Sequence, residues 1–510
     1  MQISKSVLAL VATVLILSMG CAIAASAQDM RQVQASEIVG LIKNNKPVEY
    51  DHIIVVGDLD LSKLNITSPL SITDSRFDGI VSLNDTTLGD DLVLLRCNFQ
   101  RHAYFVRSTF SGLVKFAGCT FGGIADFWKS TFNGNADFTR STFSGEVMLG
   151  ESTFGRNADF SGCIFINGAG FPEARFHGIA DFSDARFDDI AYFYNAKFMF
   201  NNGYAEFADA TFNNKATFSR ATFVGDADFL RANFMDLALF NDVNFKNASF
   251  TRAAFLKDAS FSMTRFDGWA LFFNSEFNGD VSFYQSRFSG LTSFNRSKFG
   301  QYADFTKCSF QSDAEFGDCK FKDTALFEEA HFLGTLNLYR SDYDNLYIRW
   351  NDIKRLAFND TVYLRLTENF KKLGLYSDAD QCYVSYRNQN RQNLPLYYQP
   401  IDFLLWILYG YGTMPELPII WSLLVILLCG GFFYFTADIE TPDKKTTLME
   451  AMYLSAAAFT SGARTLGGFV STPEDVKVKG RARYVLAVEK LLGLLLVGLF
   501  LTALARTVIR

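Results

Sequence analysis

Histidine and proline are scarce in this 510-residue chain, at 4 and 9 residues, and no two of its 8 cysteines form a CxxC pair. His52, His102, His177 and His331 are scattered, so no constellation has metal-ligand spacing, and neither a metal site nor a cofactor is expected. No nucleophile, base or ligand cluster stands apart from the surrounding pattern, which argues against an enzyme. A formal net charge of −6 leaves no basic field for gripping nucleic acid, and no nucleic-acid partner is expected. Charged residues make up only 20% of the chain, low enough to admit membrane segments.

What is abundant is phenylalanine, with 54 residues. Phe105, Phe110, Phe116, Phe121, Phe127, Phe132, Phe138 and Phe143 are spaced alternately by five and six, an eleven-residue period that continues to Phe332. The phase extends back through Phe99, Leu94, Leu88, Leu83, Phe77, Ile72 and Ile66, and forward to Leu338 and Tyr343, so the array covers about residues 55–350. A right-handed helical supercoil shares this period. The frequent Gly, Asn, Ser and Thr exclude it, because they oppose helix while Phe and Thr suit pleated surfaces.

Two residues before the aromatic stands a small residue, as at Ala103, Ser108, Ala125, Ser130, Ala136, Ala158, Ala180 and Ala185. In extended backbone this spacing turns both inward, and the residue between them, often Asp (Asp126, Asp137, Asp159, Asp181), faces out. This pattern resembles the pentapeptide-repeat family, whose fold is a right-handed quadrilateral β-helix. The fold class implied is an all-β solenoid followed by an α-helical neck and a two-span membrane domain. Four faces take 22 residues, giving roughly thirteen coils at about 4.8 Å each. Gly112, Gly123, Gly134, Gly145 and Gly178, in the six-residue steps, are expected at wide corners with positive φ. Two phase breaks are read as a bulged loop at Asn201–Gly203 and a lost corner residue between Phe240 and Phe255. The family also includes cytoplasmic members that imitate DNA with a markedly acidic face and bind topoisomerases, a second alternative against which the signal sequence and membrane segments of this chain argue.

The N-terminus carries Lys5, an apolar run from Val7 to Leu17, and small residues at Ala25 and Ala27, the pattern of a signal peptide spanning 1–27. Residues 28–54 then form a lead or cap. Cys97, Cys119, Cys163, Cys308 and Cys319 occupy the small inward slot of the repeat and are expected as buried core fillers rather than disulfide partners. Sequons at Asn65, Asn84, Asn247, Asn295 and Asn359 are compatible with surface glycosylation.

After residue 350 the period changes. A helical hairpin is expected over 351–395, its first helix closed by Gly374 and its second capped by Ser377. The membrane domain, 402–510, has spans at about 417–435 and 484–504. The aromatic approach "LLWILYGYG", with Gly410, Tyr411 and Gly412, is expected to lie at the interface and bend there. Thr447 and Glu450 form a capping box for a short re-entrant or interfacial helix over about 447–459. Gly493 and Gly498 are five apart, which excludes a GxxxG pair, whereas Gly498 and Thr502 are spaced for a small-xxx-small helix contact.

The order of span, short helix, glycine-containing loop and span resembles the two-helix potassium-channel-like domain, and "AVEKLLGLLLVGLFLTALAR" resembles its inner helix. The resemblance puts Thr460, Ser461, Gly462, Ala463 and Arg464 at the pore loop. These residues lack the Gly-Tyr-Gly backbone of a potassium filter. Glu489 and Lys490 are intramembrane charges that either pair near the interface or line a polar path.

An exported rod puts the 437–483 loop on the inner side, where its Lys and Arg residues also belong. The expected protein is a non-enzymatic, multi-pass cell-membrane protein whose extracytoplasmic rod is a spacer or binds an unknown protein partner. The alternative is a channel-like homo-oligomer joined through its membrane helices.

Overall fold

The computed structural model describes residues 30–201, 203–436, 439–440, 447–461, 477–478 and 480–508. The signal-peptide reading of 1–27 lies outside them. The chain divides into two compact units at Ala357/Phe358.

The first unit is a four-sided parallel β-solenoid. One coil carries the two-residue strands Asn98–Phe99, Ala103–Tyr104, Thr109–Phe110 and Val114–Lys115, and each pairs in parallel with the strand 22 residues later. Two faces are 14-stranded sheets, and the other two merge into one 25-stranded sheet. In each short strand one residue points in and its neighbour out, as the period-2 reading requires: Phe110 and Ala136 are buried while Thr109 and Asp137 are half-exposed.

The core is a set of phenylalanine ladders. Rings of successive coils stack nearly parallel, as for Phe154 and Phe176 at 4.9 Å and 0°. Rings from different faces meet edge to face, as for Phe160 and Phe171 at 5.5 Å and 86°. Both are geometries that the ring quadrupole favours. The serine and cysteine of the small slot add hydrogen bonds to this packing. Ser130 Oγ donates to the Phe105 carbonyl at 2.5 Å, and Cys163 Sγ donates to that of Phe138 at 2.9 Å. The cysteines are therefore donors as well as fillers, and burial pushes the Cys163, Cys308 and Cys319 thiols far above their ordinary range.

The glycine expectation is corrected. The left-handed corners fall in the five-residue steps and carry charged residues, among them Arg107 (φ 54°), Lys129 (59°) and Glu151 (53°). These stack from coil to coil with paired signs, as in Arg107 Nε to Asp85 Oδ1 at 2.6 Å and Arg231 Nε to Asp209 Oδ1 at 2.6 Å. The glycines of the six-residue steps serve a different need. A Cβ on Gly145 would sit 2.2 Å from the Gly123 carbonyl oxygen, so successive coils touch there backbone to backbone. Gly145→Ala should cost about 1–3 kcal/mol through this overlap alone, read as a lowered urea midpoint at unchanged slope.

Both phase breaks appear as read. Ala180 pairs with Ala205, a three-residue excess over the regular coil, and Asp226 pairs with Asn247, one residue short. The array is longer than its phenylalanine period suggests. Strand Arg31–Gln34 already pairs with Ile53–Val56, and strand Ile353–Leu356 closes the other end. At this end Val33, Tyr50 and Val55 stand in the slots that Phe77 and Ile72 continue, and the coil is interrupted by helix α1, Ala35–Lys43, whose Ile38 and Ile42 are buried. That substitution and interruption hide the period there. Three sequon asparagines, Asn84, Asn247 and Asn295, use their side-chain oxygens as acceptors for the next coil's backbone.

The second unit is helical. α2 (Asp360–Lys372) is capped by the Asn359 side chain, which accepts from Val362 N at 3.2 Å, and ends before Gly374 at φ 73°. α3 spans Tyr376–Asn390, and here the expected cap is corrected. Leu375 is the N-cap, and Ser377 lies inside the first turn, where its hydroxyl accepts from Gln381 Nε2 at 3.3 Å. α4 (Gln399–Tyr409), α5 (Glu416–Thr436), α6 (Leu448–Ser461) and α7 (Ala482–Val508) follow. α5 and α7 are long and apolar enough to cross a membrane. They expose leucines such as Leu423, Leu427, Leu491 and Leu495. The capping box of α6 forms reciprocally: Thr447 N donates to Glu450 Oε2 at 2.8 Å, and Glu450 N donates to Thr447 Oγ1 at 3.3 Å.

Candidate functional site

On one face of the solenoid the outward slots run Tyr104, Asp126, Met148, Gly170, Tyr192, and the adjoining corner runs Trp128, Gly150, Pro172, Tyr194. Where both rows lose their side chains, at Gly150 and Gly170, a cleft of about 640 Å³ opens. Its walls include Trp128, Glu146, Met148, Asn167, Asp189 and Tyr192. The Trp128 ring fills the space over Gly150, where a Cβ would lie 2.3 Å from it. Tyr192 stacks on Tyr194 at 5.9 Å and 15°. Asp189 accepts from Asn214 Nδ2 at 2.9 Å. The lining holds two carboxylates and no Lys or Arg, so the cleft offers aromatic faces and acceptors to a ligand of positive or neutral charge. The departure from Ala-Asp-Phe in "VMLGES" and "NGAGFPE" was the sequence signal for this place.

In the helical unit α6 packs against both long apolar helices, α5 and α7. Ser455 Oγ lies 2.9 Å from the Ile426 carbonyl of α5 and also contacts Glu489 Oε1 of α7. A serine has one hydroxyl proton. That proton goes either to the Ile426 carbonyl or to Glu489 Oε1, each of which is placed to accept it. Glu489 is fully buried, and its Oε2 has no hydrogen-bond partner among the described residues. The reading of Glu489 and Lys490 as an interfacial pair is corrected, because neighbours on a helix point about 100° apart and Glu489 turns onto α6. Gly493 is the close-contact residue of α7, since a Cβ there would lie 2.2 Å from the Phe459 carbonyl oxygen. No neighbour lies within 4 Å of a Cβ built on Gly498, and exposed Thr502 returns its hydroxyl to the Gly498 carbonyl at 3.1 Å, so among the described residues the small-xxx-small contact is not made. Thr460 still lies in α6, donating to the Ala456 carbonyl at 2.8 Å, and Ser461 ends that helix. Gly462, Ala463 and Arg464 lie outside the described residues.

A third cluster forms at the aromatic approach to α5. Gly410, Tyr411 and Gly412 all adopt left-handed φ (60°, 55° and 81°), which folds buried Tyr411 back onto α4. Its hydroxyl donates to Asp402 Oδ2 at 2.6 Å, Arg391 Nε reaches the same oxygen at 2.9 Å, and Arg387 pairs with Oδ1. Arg506, near the end of α7, donates to the Tyr411 carbonyl at 2.9 Å and stacks 4.5 Å over the Tyr383 ring. Burial alone would raise the Asp402 carboxyl, but the bonds from Tyr411, Arg387 and Arg391 outweigh it and hold the group below its ordinary range. The signal was Arg387 and Arg391 on one helix face, with a single Asp in the apolar helix that follows.

Among the described residues, the group that could offer metal ligands is Asp51, His52 and Asp74 at the start of the array. Asp51 and His52 are solvent-facing, and half-buried Asp74 is already held by Arg96 Nε at 2.6 Å.

A family profile described as pentapeptide repeats (9 copies) matches the array over residues 94–142, 127–175, 149–197, 240–287, 272–320 and 294–342. No family match supports the likeness of the membrane domain to potassium channels. No curated protein and no solved structure matches the chain.

Proposed function

We propose that the chain, whose repeat array matches the pentapeptide-repeat profile, is a non-enzymatic, membrane-anchored protein whose solenoid is an extracytoplasmic docking surface. The observation that carries this reading is the contrast within the solenoid. Its interior is closed by stacked phenylalanines and leaves no room for chemistry, while its surface opens at the Trp128–Tyr192 cleft. Repeat arrays bind along one face, and this face is where the regular outward lattice gives way. Two helices with exposed leucine rows supply the anchor. The 437–483 loop, rich in Lys and Arg, belongs on the cytoplasmic side, which leaves the solenoid on the other.

The anchor is tested by washing membranes from expressing cells with alkaline carbonate. The chain should stay in the pellet with the integral proteins, and release into the supernatant would remove the anchor. The cleft is tested by a photocrosslinking residue at Tyr192, compared with one at exposed Leu333. The reading predicts a discrete adduct from position 192 that disappears with Trp128→Ala, and equal labelling from both positions would contradict it.

A further inference from the structure

The side chains that border the Trp128–Tyr192 cleft are sorted by edge. Glu146, Asn167 and Asp189 come from three successive coils, just ahead of the paired strands Val147–Met148, Ala169–Gly170 and Ala191–Tyr192. Trp128 and Pro172 follow the strand positions at the opposite edge. Between the edges lie Gly150, Gly168 and Gly170, whose missing side chains let an extended backbone come close.

The polar atoms open at the first edge are acceptors. Asn167 Nδ2 donates to the Ser144 carbonyl, which leaves Oδ1, and Asp189 Oδ1 accepts from Asn214, which leaves Oδ2. Exposed Glu146 has no partner among the described residues. At the second edge Lys129 is held by Glu151 at 3.4 Å, and exposed Glu173 follows Pro172, so that edge is net negative as well. The Trp128 ring covers Gly150 with one face and turns the other outward. A group that suits both edges must donate without accepting, carry positive charge and present a plane, and among side chains that group is the arginine guanidinium. Lysine lacks the plane, and a sugar hydroxyl brings acceptors and no charge. On the premise that this cleft docks a partner, we infer that the partner presents an extended segment bearing arginine, its guanidinium groups laid on the Trp128 face and hydrogen-bonded along the Glu146–Asp189 edge. Successive coils lie about 4.8 Å apart, so Glu146 and Asp189 stand about 10 Å apart along the array and are engaged by separate arginines.

The probe is a fluorescein-labelled Gly-Arg-Gly-Arg-Gly peptide, titrated by anisotropy against the full chain in detergent. It should bind about tenfold more tightly than the same peptide with citrulline, the uncharged isostere of arginine. Glu146→Gln combined with Asp189→Asn should bring the two peptides to equal affinity, and Trp128→Ala should weaken the arginine peptide, with the β-sheet circular dichroism unchanged in both variants. No binding of the arginine peptide, equal binding of the arginine and citrulline peptides by the parent, a preference untouched by the double substitution, or displacement by cellotriose would overturn the inference. The docking role itself is read from the photocrosslink at position 192. An adduct that depends on Trp128 but survives the double substitution leaves the docking role standing and removes the arginine assignment, whereas no adduct at all removes both.

Discussion

Phe182→Ala should lower the stability of the solenoid by about 4 kcal/mol, near the middle of the range for emptying a buried aromatic site. The ring stacks on Phe160 at 4.9 Å and Phe207 at 5.0 Å, and meets Phe171 and Phe193 edge-on at 5.2 and 5.3 Å. Each of these neighbours is fixed by its own backbone hydrogen bonds to adjacent coils, so the walls cannot collapse into the vacancy. Because a stacked array is stabilised by nearest-neighbour contacts, the loss should be local. Amide exchange should accelerate in the coils between about Phe160 and Phe207 and stay slow beyond Phe299. Uniform acceleration along the whole array would mean that the coils unfold as one unit.

Asp402→Ala should cost the helical unit about 3 kcal/mol. Removing one partner of a buried ion pair leaves the others uncompensated, and here two guanidinium groups and the Tyr411 hydroxyl lose their acceptor together. The lower end of the usual range applies because Arg387 and Arg391 keep partial contact with water. The lowered Asp402 pKa gives the same cluster a pH dependence. Its contribution is complete above about pH 4, where the unfolded chain's aspartate is ionised, and is lost as pH falls through the folded value. Thermal unfolding of the full chain in detergent, followed by tryptophan fluorescence, should show the parent losing this increment in acid. Asp402→Asn should show no such increment, and identical acid profiles would contradict the assignment.

Much of the solenoid was legible because each coil repeats the same decision. A small residue and a Phe two apart must share a face, and a five–six alternation summed over four faces fixes the 22-residue register seen at Thr109↔Thr131. The role of the glycines was not legible, since a sequence does not distinguish a residue chosen for positive φ from one chosen for having no Cβ. Gly145 is the second kind, and the first kind of position is filled by residues such as Arg107 and Lys129. The Trp128–Tyr192 cleft escaped notice because outward slots vary freely and only their adjacency across coils makes a wall. In the helical unit the helices and the Thr447–Glu450 box were readable from local pattern, whereas the Asp402 cluster gathers partners as distant as Arg506, 95 residues beyond Tyr411. Glu489 was visible as a charge within a long apolar run, but its partner depended on which way α7 faces α6.

Sidedness of the anchored solenoid is tested most directly by thiol labelling of intact cells with an impermeant maleimide. The native background is low, because the described cysteines are buried except Cys429, which is half-buried within an apolar span. A cysteine at Met263, 52% exposed on the solenoid, should label in intact cells, and one at Lys444 should label only after permeabilisation. Labelling of Lys444→Cys in intact cells, with Met263→Cys protected until lysis, would contradict the account.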